Sequence, residues 1–195
     1  MSPSKISFKV YQGSTFSEVL RWESSRKAYK TITGISNAAP CIVTSTAHGV
    51  PDGWRVKVTN VVGMTDINST DTYHVATKLT ADTIELNGIN SVGYKVYTSG
   101  GILEYNTPID LTGYTARMQI RGKIDDAGTI AELTTENSGI TISTANSTIT
   151  ITISATATAL YTFSTAVYSL ELVSSGGVVT PFITGTMTLV KEVTR

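Results

Sequence analysis

Between Pro108 and Arg121 the chain reads Pro-Ile-Asp-Leu-Thr-Gly-Tyr-Thr-Ala-Arg-Met-Gln-Ile-Arg, and its second half admits few conformations. Tyr114, Ala116, Met118 and Ile120 alternate with Thr115, Arg117, Gln119 and Arg121. Successive side chains of an extended backbone point to opposite faces, so this period of two predicts a strand half in a core and half in water. Gly113, with Asp110 and Thr112, supplies the turn that aims it. Such a strand needs partners, and the same period recurs in two distant parts of the chain.

One part follows it. Ile149, Ile151 and Ile153 alternate with Thr148, Thr150 and Thr152, and residues 130–134 form a shorter run. Residues 167–173 and 178–190 read as strands joined by Ser174-Ser175-Gly176-Gly177, a hairpin turn. The last strand is expected to run on from Gly185 to Thr194 and Arg195. Residues 154–161 fit one helical turn or a bend. The other part is the N-terminus, where Ile6, Phe8 and Val10 alternate with Ser7 and Lys9 before a turn at Gln12-Gly13-Ser14. Phe16, Leu20 and Trp22 then share a face, with Glu18 an exception at an edge, and the pattern predicts a hairpin. Residues 24–30 are polar and break it. Trp22 is expected to be buried with Met118 and Ile120.

From 31 to 101 the texture changes. Short apolar runs at 41–45, 55–61, 73–78 and 82–86 are separated by turn clusters, including His48-Gly49-Val50-Pro51-Asp52-Gly53 and Gly63 to Asn68. Short strands at this spacing describe a small barrel or compact sheet. A two-stranded pair at the N-terminus is marginal alone, and the C-terminal strands lack the partners a sandwich needs. Residues 1–30 with 102–195 therefore make a β-sandwich, split by an inserted small β-barrel-like module at 31–101. Charged residues make up 15% of the chain, and Thr, Val and Ile are abundant, which suits half-buried strands.

The formal net charge is zero, which favours neither nucleic acid nor an anionic membrane as partner. Arg26, Lys27 and Lys30 are the nearest approach to a basic cluster and read as a solvated loop. No stretch reaches the length of a membrane span and no cleavable signal precedes the first strand, so synthesis in a cytoplasm is expected. The single cysteine, Cys41, lies in an apolar strand pattern and reads as a buried, inert thiol.

Cys41, His48 and His74 are the candidates for a metal, but their spacing matches no common zinc pattern. His48, ahead of Gly49, is expected to bond to backbone, and His74 to face solvent. Asp66, Asn68, Asp71 and Asp82 offer oxygen ligands without the calcium-loop spacing. The pairs Asp125-Asp126 and Asp66 with Asp71 fall in turns, where Asp serves the backbone. No Gly-x-Ser-x-Gly elbow supports a hydrolase. The reading is of no catalytic set, no metal and no cofactor. Tyr94, Tyr97 and Tyr105, with Tyr29, cluster near the ends of the middle segment and read as a packed seam between modules or as a partner surface. Trp54, in a turn, is the residue most expected to be exposed, and the candidate partner interface is Trp54, Tyr94, Tyr97 and Tyr105.

Ala39-Pro40-Cys41-Ile42-Val43-Thr44, Ala47-His48-Gly49, Asp52-Gly53-Trp54-Arg55-Val56, Val62-Gly63-Met64, Ala81-Asp82-Thr83-Ile84-Glu85-Leu86 and Tyr97-Thr98-Ser99-Gly100-Gly101 resemble a small β module of bacteriophage tail proteins. That module is similar to the first catalytic-cysteine half-domain of ubiquitin-activating enzymes, although no nucleotide-binding glycine loop or nucleophile pattern accompanies it here. Leu111-Thr112-Gly113-Tyr114 with residues 116–121, and the final strand from Gly185, look like the N-terminal sandwich of phage baseplate proteins. The resemblance implies an Ig-like, baseplate-type sandwich in a non-enzymatic virion protein of the tail, neck or baseplate. Its implied partners are other phage structural proteins and further copies of itself. The alternative is a receptor- or carbohydrate-binding adhesin module, stacking sugars on Trp54, Tyr73 and Tyr97.

Overall fold

The computed structural model describes residues 2–69 and 71–193; the expected end of the last strand at Thr194 and Arg195 lies outside them. The chain is all-β, with 51% of residues in strands and 4% in helix. In chain order the strands are β1 (Ser4–Lys5), β2 (Phe8–Tyr11), β3 (Phe16–Arg21), β4 (Glu23–Thr31), β5 (Gly34–Ile35), β6 (Cys41–Thr44), β7 (Trp54–Val62) and β8 (His74–Lys78). They continue as β9 (Thr83–Leu86), β10 (Ser99–Pro108), β11 (Thr115–Arg121), β12 (Ala131–Thr134), β13 (Ile140–Ser143), β14 (Thr148–Ile153), β15 (Thr165–Val173) and β16 (Val179–Val190). One short helix, α1 (Ala155–Ala159), follows Ser154, whose side chain accepts the Ala157 N–H as an N-cap.

Two compact units divide the chain: residues 1–21 with 110–195, and residues 22–109. The boundaries fall at 22 and 109 rather than at 31 and 101. The reason is the pairing of β4 with β10, which carries both into the second unit. Residues 24–30, read from the sequence as a break, are thus a strand. Its apolar alternation is missing because it lies at the end of the strand order, bonded laterally only to β10. Ile109 N–H donates to Trp22 O at 3.0 Å, so the chain enters and leaves this unit at adjacent residues.

In the first unit β11 behaves as its alternation requires: Ala116, Met118 and Ile120 are buried, and Thr115 and Arg117 are exposed. It pairs antiparallel with β12 and β15, and β15 with β16. The β15–β16 hairpin turns through Ser174 to Gly177 as the sequence predicts, with Gly177 N–H donating to Ser174 O. Its register shifts where Leu170 faces Ile183 and Glu171 faces Pro181. That bulge accommodates a proline, which cannot donate to a ladder. Trp22, expected beside Met118, is half-buried and belongs to the other unit.

The N-terminal segment does not form a hairpin. β1 and β2 both run parallel to β16, with Lys5 opposite Thr184 and Phe8 opposite Met187, whereas β3 pairs with β14 in a three-stranded sheet, β13-β14-β3. The turn at Gln12 to Ser14 therefore passes the chain from one sheet to the other, giving a β-sandwich-like arrangement. Alternation alone cannot distinguish such a crossing from a hairpin, since both present one apolar face. Phe8 and Phe16 meet edge to face at 5.4 Å across this crossing, and Phe8 stacks on Tyr168 at 5.1 Å. Ile149, Ile151 and Ile153 of β14 complete the core.

Between β1 and β2 the backbone at Ile6 leans onto β16. The Ile6 N–H donates to Thr184 O, and its carbonyl accepts the Tyr168 hydroxyl at 2.8 Å. A Cβ on Gly185 would collide with that carbonyl oxygen, so only glycine lets the two strands approach this closely.

The second unit is one antiparallel sheet ordered β4-β10-β7-β8-β9-β6-β5. Its two end strands belong to one continuous chain segment. Ile32 N–H bonds to Gly101 O on the β10 side, and Thr33 N–H to Thr44 O on the β6 side, so the sheet curls back on itself through residues 32 and 33. The interior holds Ile32, Val43, Val56, Val58, Met64, Ile84, Leu86 and Leu103. Gly101 (φ +103°) lies over Ile32 and Val61, where a Cβ would stand 2.9 Å from Val61 Cγ2.

Replacing Gly185 with Ala should lower stability by roughly 1–3 kcal/mol, because the obstacle is backbone that has to move. Gly128→Ala, where an added Cβ meets nothing within 4 Å, should change it by no more than about 0.5 kcal/mol. Urea unfolding of the two variants checks the contrast.

Candidate functional site

Cys41, His48 and His74 are not gathered into one site; each has its own separate hydrogen-bond partners among the described residues. Cys41 is fully buried on β6, and burial pushes its thiol pKa up, away from the reactive thiolate. Its Sγ faces Ser36 O at 3.6 Å. His48 is 0% exposed. Its Nδ1 accepts the Val50 N–H at 2.9 Å, which leaves Nε2 to carry the proton and donate to Thr80 O at 3.1 Å. The imidazole is a neutral brace between two loops, and burial holds its pKa below the usual value. His74, expected in solvent, is half-buried, with Nε2 3.1 Å from the Ser69 hydroxyl and a pKa also lowered by burial.

Of the oxygen ligands considered for calcium, Asn68 and Asp82 are engaged by backbone, while Asp66 and Asp71 are exposed. Asn68 Oδ1 accepts the Val61 N–H at 2.8 Å and its Nδ2 donates to Val61 O at 3.0 Å, so the amide completes the edge of β7. Asp82 Oδ1 accepts the Ala47 N–H at 2.7 Å. Asp126 Oδ2 accepts the Lys123 N–H in a turn. Among the described residues no group of three or more His, Cys, Asp or Glu is placed to hold a metal, and no helix is long and apolar enough to cross a membrane.

The four aromatic candidates are brought together, but inside the second unit. Trp54 is 0% exposed and donates its indole N–H to Asn106 O at 2.7 Å. Tyr105 is 4% exposed, with its hydroxyl on His48 O at 2.7 Å. Tyr94 and Tyr97 are partly buried against the same core, and Tyr97 donates to Gly100 O. Trp54 as the most exposed candidate is therefore corrected: it opens β7, where alternation puts it inward with Val56 and Val58. The glycine-rich turn before it hid that register. Of the aromatic residues weighed from the sequence, Tyr29, at 61%, is the exposed one, while Tyr73 is half-buried and donates to Glu104.

Two of the grooves on the first unit stand out, and both escaped the sequence reading. One, of about 360 Å³, is lined by Ile130, Leu160, Tyr161 and Phe163 among others. The buried Tyr161 hydroxyl there has no hydrogen-bond partner among the described residues. The other, of about 510 Å³, lies on the outer face of the six-stranded sheet between Lys5 and Arg121. Neither has a sequence signature, because each is made by residues from several strands. No protein-family model matches the sequence, and no curated protein does either.

Two tests follow from the placement of Trp54 and His48. Trp54→Ala should cost about 3–5 kcal/mol in urea unfolding, whereas Tyr97→Phe should cost about 1 kcal/mol. A Trp54→Ala protein of unchanged stability would put that indole back on the surface. For His48 the folded pKa lies below the unfolded value of about 6.5. Below that pH the unfolded state binds more protons, so stability should be full above about pH 7 and fall as pH drops through 6.5. Melting temperatures from about pH 5 to 8 should show this decline, with His74 adding to it. His48→Gln should flatten its acid side.

Proposed function

We propose that the protein is a non-enzymatic structural component of a tailed phage particle, built into the tail, neck or baseplate and contacting other phage structural proteins and further copies of itself. The observation that carries the reading is where the phage-like motifs fall. They form β6, the start of β7, β9 and the Gly100-Gly101 entry to β10, so the resemblance rests on the residues that shape the second unit. The internal engagement of Cys41, His48 and Asp82 supports the non-enzymatic half of the reading, since each braces a turn or strand. The Ig-like, baseplate-type identity of the sandwich is part of this proposal.

Of the aromatic residues that the adhesin alternative relies on, Trp54 is enclosed and Tyr73 and Tyr97 are half-buried, which favours the structural reading. Mass spectrometry of density-purified phage particles should detect the chain at a fixed ratio to the major tail or neck proteins. Its absence from particles carrying an intact copy of the gene would overturn the proposal.

A further inference from the structure

The outer face of the six-stranded sheet carries a groove whose shape follows from register. Lys5, Thr184, Ser169 and Gln119 are successive partners across β1, β16, β15 and β11. Two residues along, Thr186, Val167 and Arg121 form a second row, which Ser7 joins through a hydroxyl contact with Thr186 at 3.0 Å. The middle strands contribute short side chains and the flanking strands long ones, so the face is hollow along its centre. Gly185 lies in the floor, and Ile124, 81% exposed, stands at one wall.

The two cations at the rim are electrostatically open. Lys5 and Arg121 form no ion pair among the described residues. Among the described residues Arg121 donates to the Asp126 carbonyl and to Gln119 Oε1 at 2.8 Å. Of the nearby carboxylates, Glu171 is paired with Arg117 at 2.8 Å, Asp126 accepts the Lys123 N–H, and Glu132 accepts from Gln119 Nε2 at 3.1 Å without forming an ion pair to either cation among the described residues. A ligand that complements this groove brings negative charge to its two sides and an apolar group to Ile124 and Val167.

We propose that this groove binds an extended segment of another protein that carries carboxylates and an aliphatic side chain. Charge complementarity selects the carboxylates, and aliphatic walls select peptide over sugar, since Tyr168, the aromatic side chain of the groove, is 3% exposed and offers no ring face for stacking. The distance fits as well. Four adjacent strands place Lys5 and Gln119 roughly 14 Å apart, which about four residues of extended peptide cross. Backbone pairing plays no part, because the floor is the face of a sheet whose ladders are already formed. The inference rests on this face alone, so the purified chain tests it whatever particle the protein belongs to.

The test is titration of the full ¹⁵N-labelled chain with an octapeptide alternating glutamate and leucine. A lysine–leucine octapeptide and a hyaluronan oligosaccharide serve as comparators. Saturable shifts confined to Ser7, Gln119, Arg121, Ser169 and Thr184 to Thr186 are expected with the glutamate peptide alone. Lys5→Gln with Arg121→Gln should weaken binding by roughly tenfold or more. Ser169→Trp, which fills the floor from an exposed position, should abolish it while the rest of the spectrum stays intact. Absence of these shifts, equal binding of the lysine peptide, or binding that survives Ser169→Trp would overturn the proposal. Binding of hyaluronan with the peptides silent would overturn the peptide as occupant.

Discussion

The first unit depends on one close approach, that of the Ile6 carbonyl to Gly185. Strand β16 is bonded to β15 on one side and receives β1 and β2 in parallel on the other, so it joins the two ends of the chain. The Tyr168 hydroxyl bonds to the same carbonyl, and burial, with a smaller contribution from Glu18, pushes that phenol's pKa well up. A buried hydroxyl left without an acceptor costs about 1–3 kcal/mol, so this bond fixes where Tyr168 lies and hence where Phe8 stacks. Phe8 in turn meets Phe16, at the point where the chain leaves one sheet for the other.

The open sheet edges of this unit are managed by side chains. The outward N–H of Thr134 and C=O of Glu132 on β12 are both taken by the Asn137 amide, at 2.8 and 2.9 Å, as a neighbouring strand would take them. On β3, at the end of the three-stranded sheet, Glu18 shares the face of Phe16 and Leu20. An inward charge on an edge strand discourages pairing with another chain. An unguarded edge invites unlimited strand addition.

What the sequence made legible was alternation. β11, β14 and the β15–β16 hairpin were readable because one face of each meets a core and the other meets water. β4 was not, since Ser24, Ser25, Arg26 and Lys27 carry no such contrast; its place is set by backbone bonds to β10. The crossing between β2 and β3 looked like a hairpin because a turn signal does not say which sheet the second strand joins. Among the aromatics of the second unit, Trp54 and Tyr105 proved to be enclosed, which their turn-rich surroundings in the sequence did not signal. Tyr105 and Trp54 anchor their polar atoms on backbone carbonyls, which allows large amphipathic side chains to be enclosed. The groove between Lys5 and Arg121 was invisible for a different reason. Residues 116 positions apart in sequence become its two walls only once β1 has settled against β16.

The curl of the second unit through residues 32 and 33 makes that segment a seam shared by both margins of one sheet. At the seam, one added residue would slip the chain against β10 and β6 together and turn Ile32 from the interior to the outside. Tolerance of length variation is therefore unevenly distributed around this unit, and it is lowest at the seam and in the loop after β6, which Ser45 ties to Thr31 O.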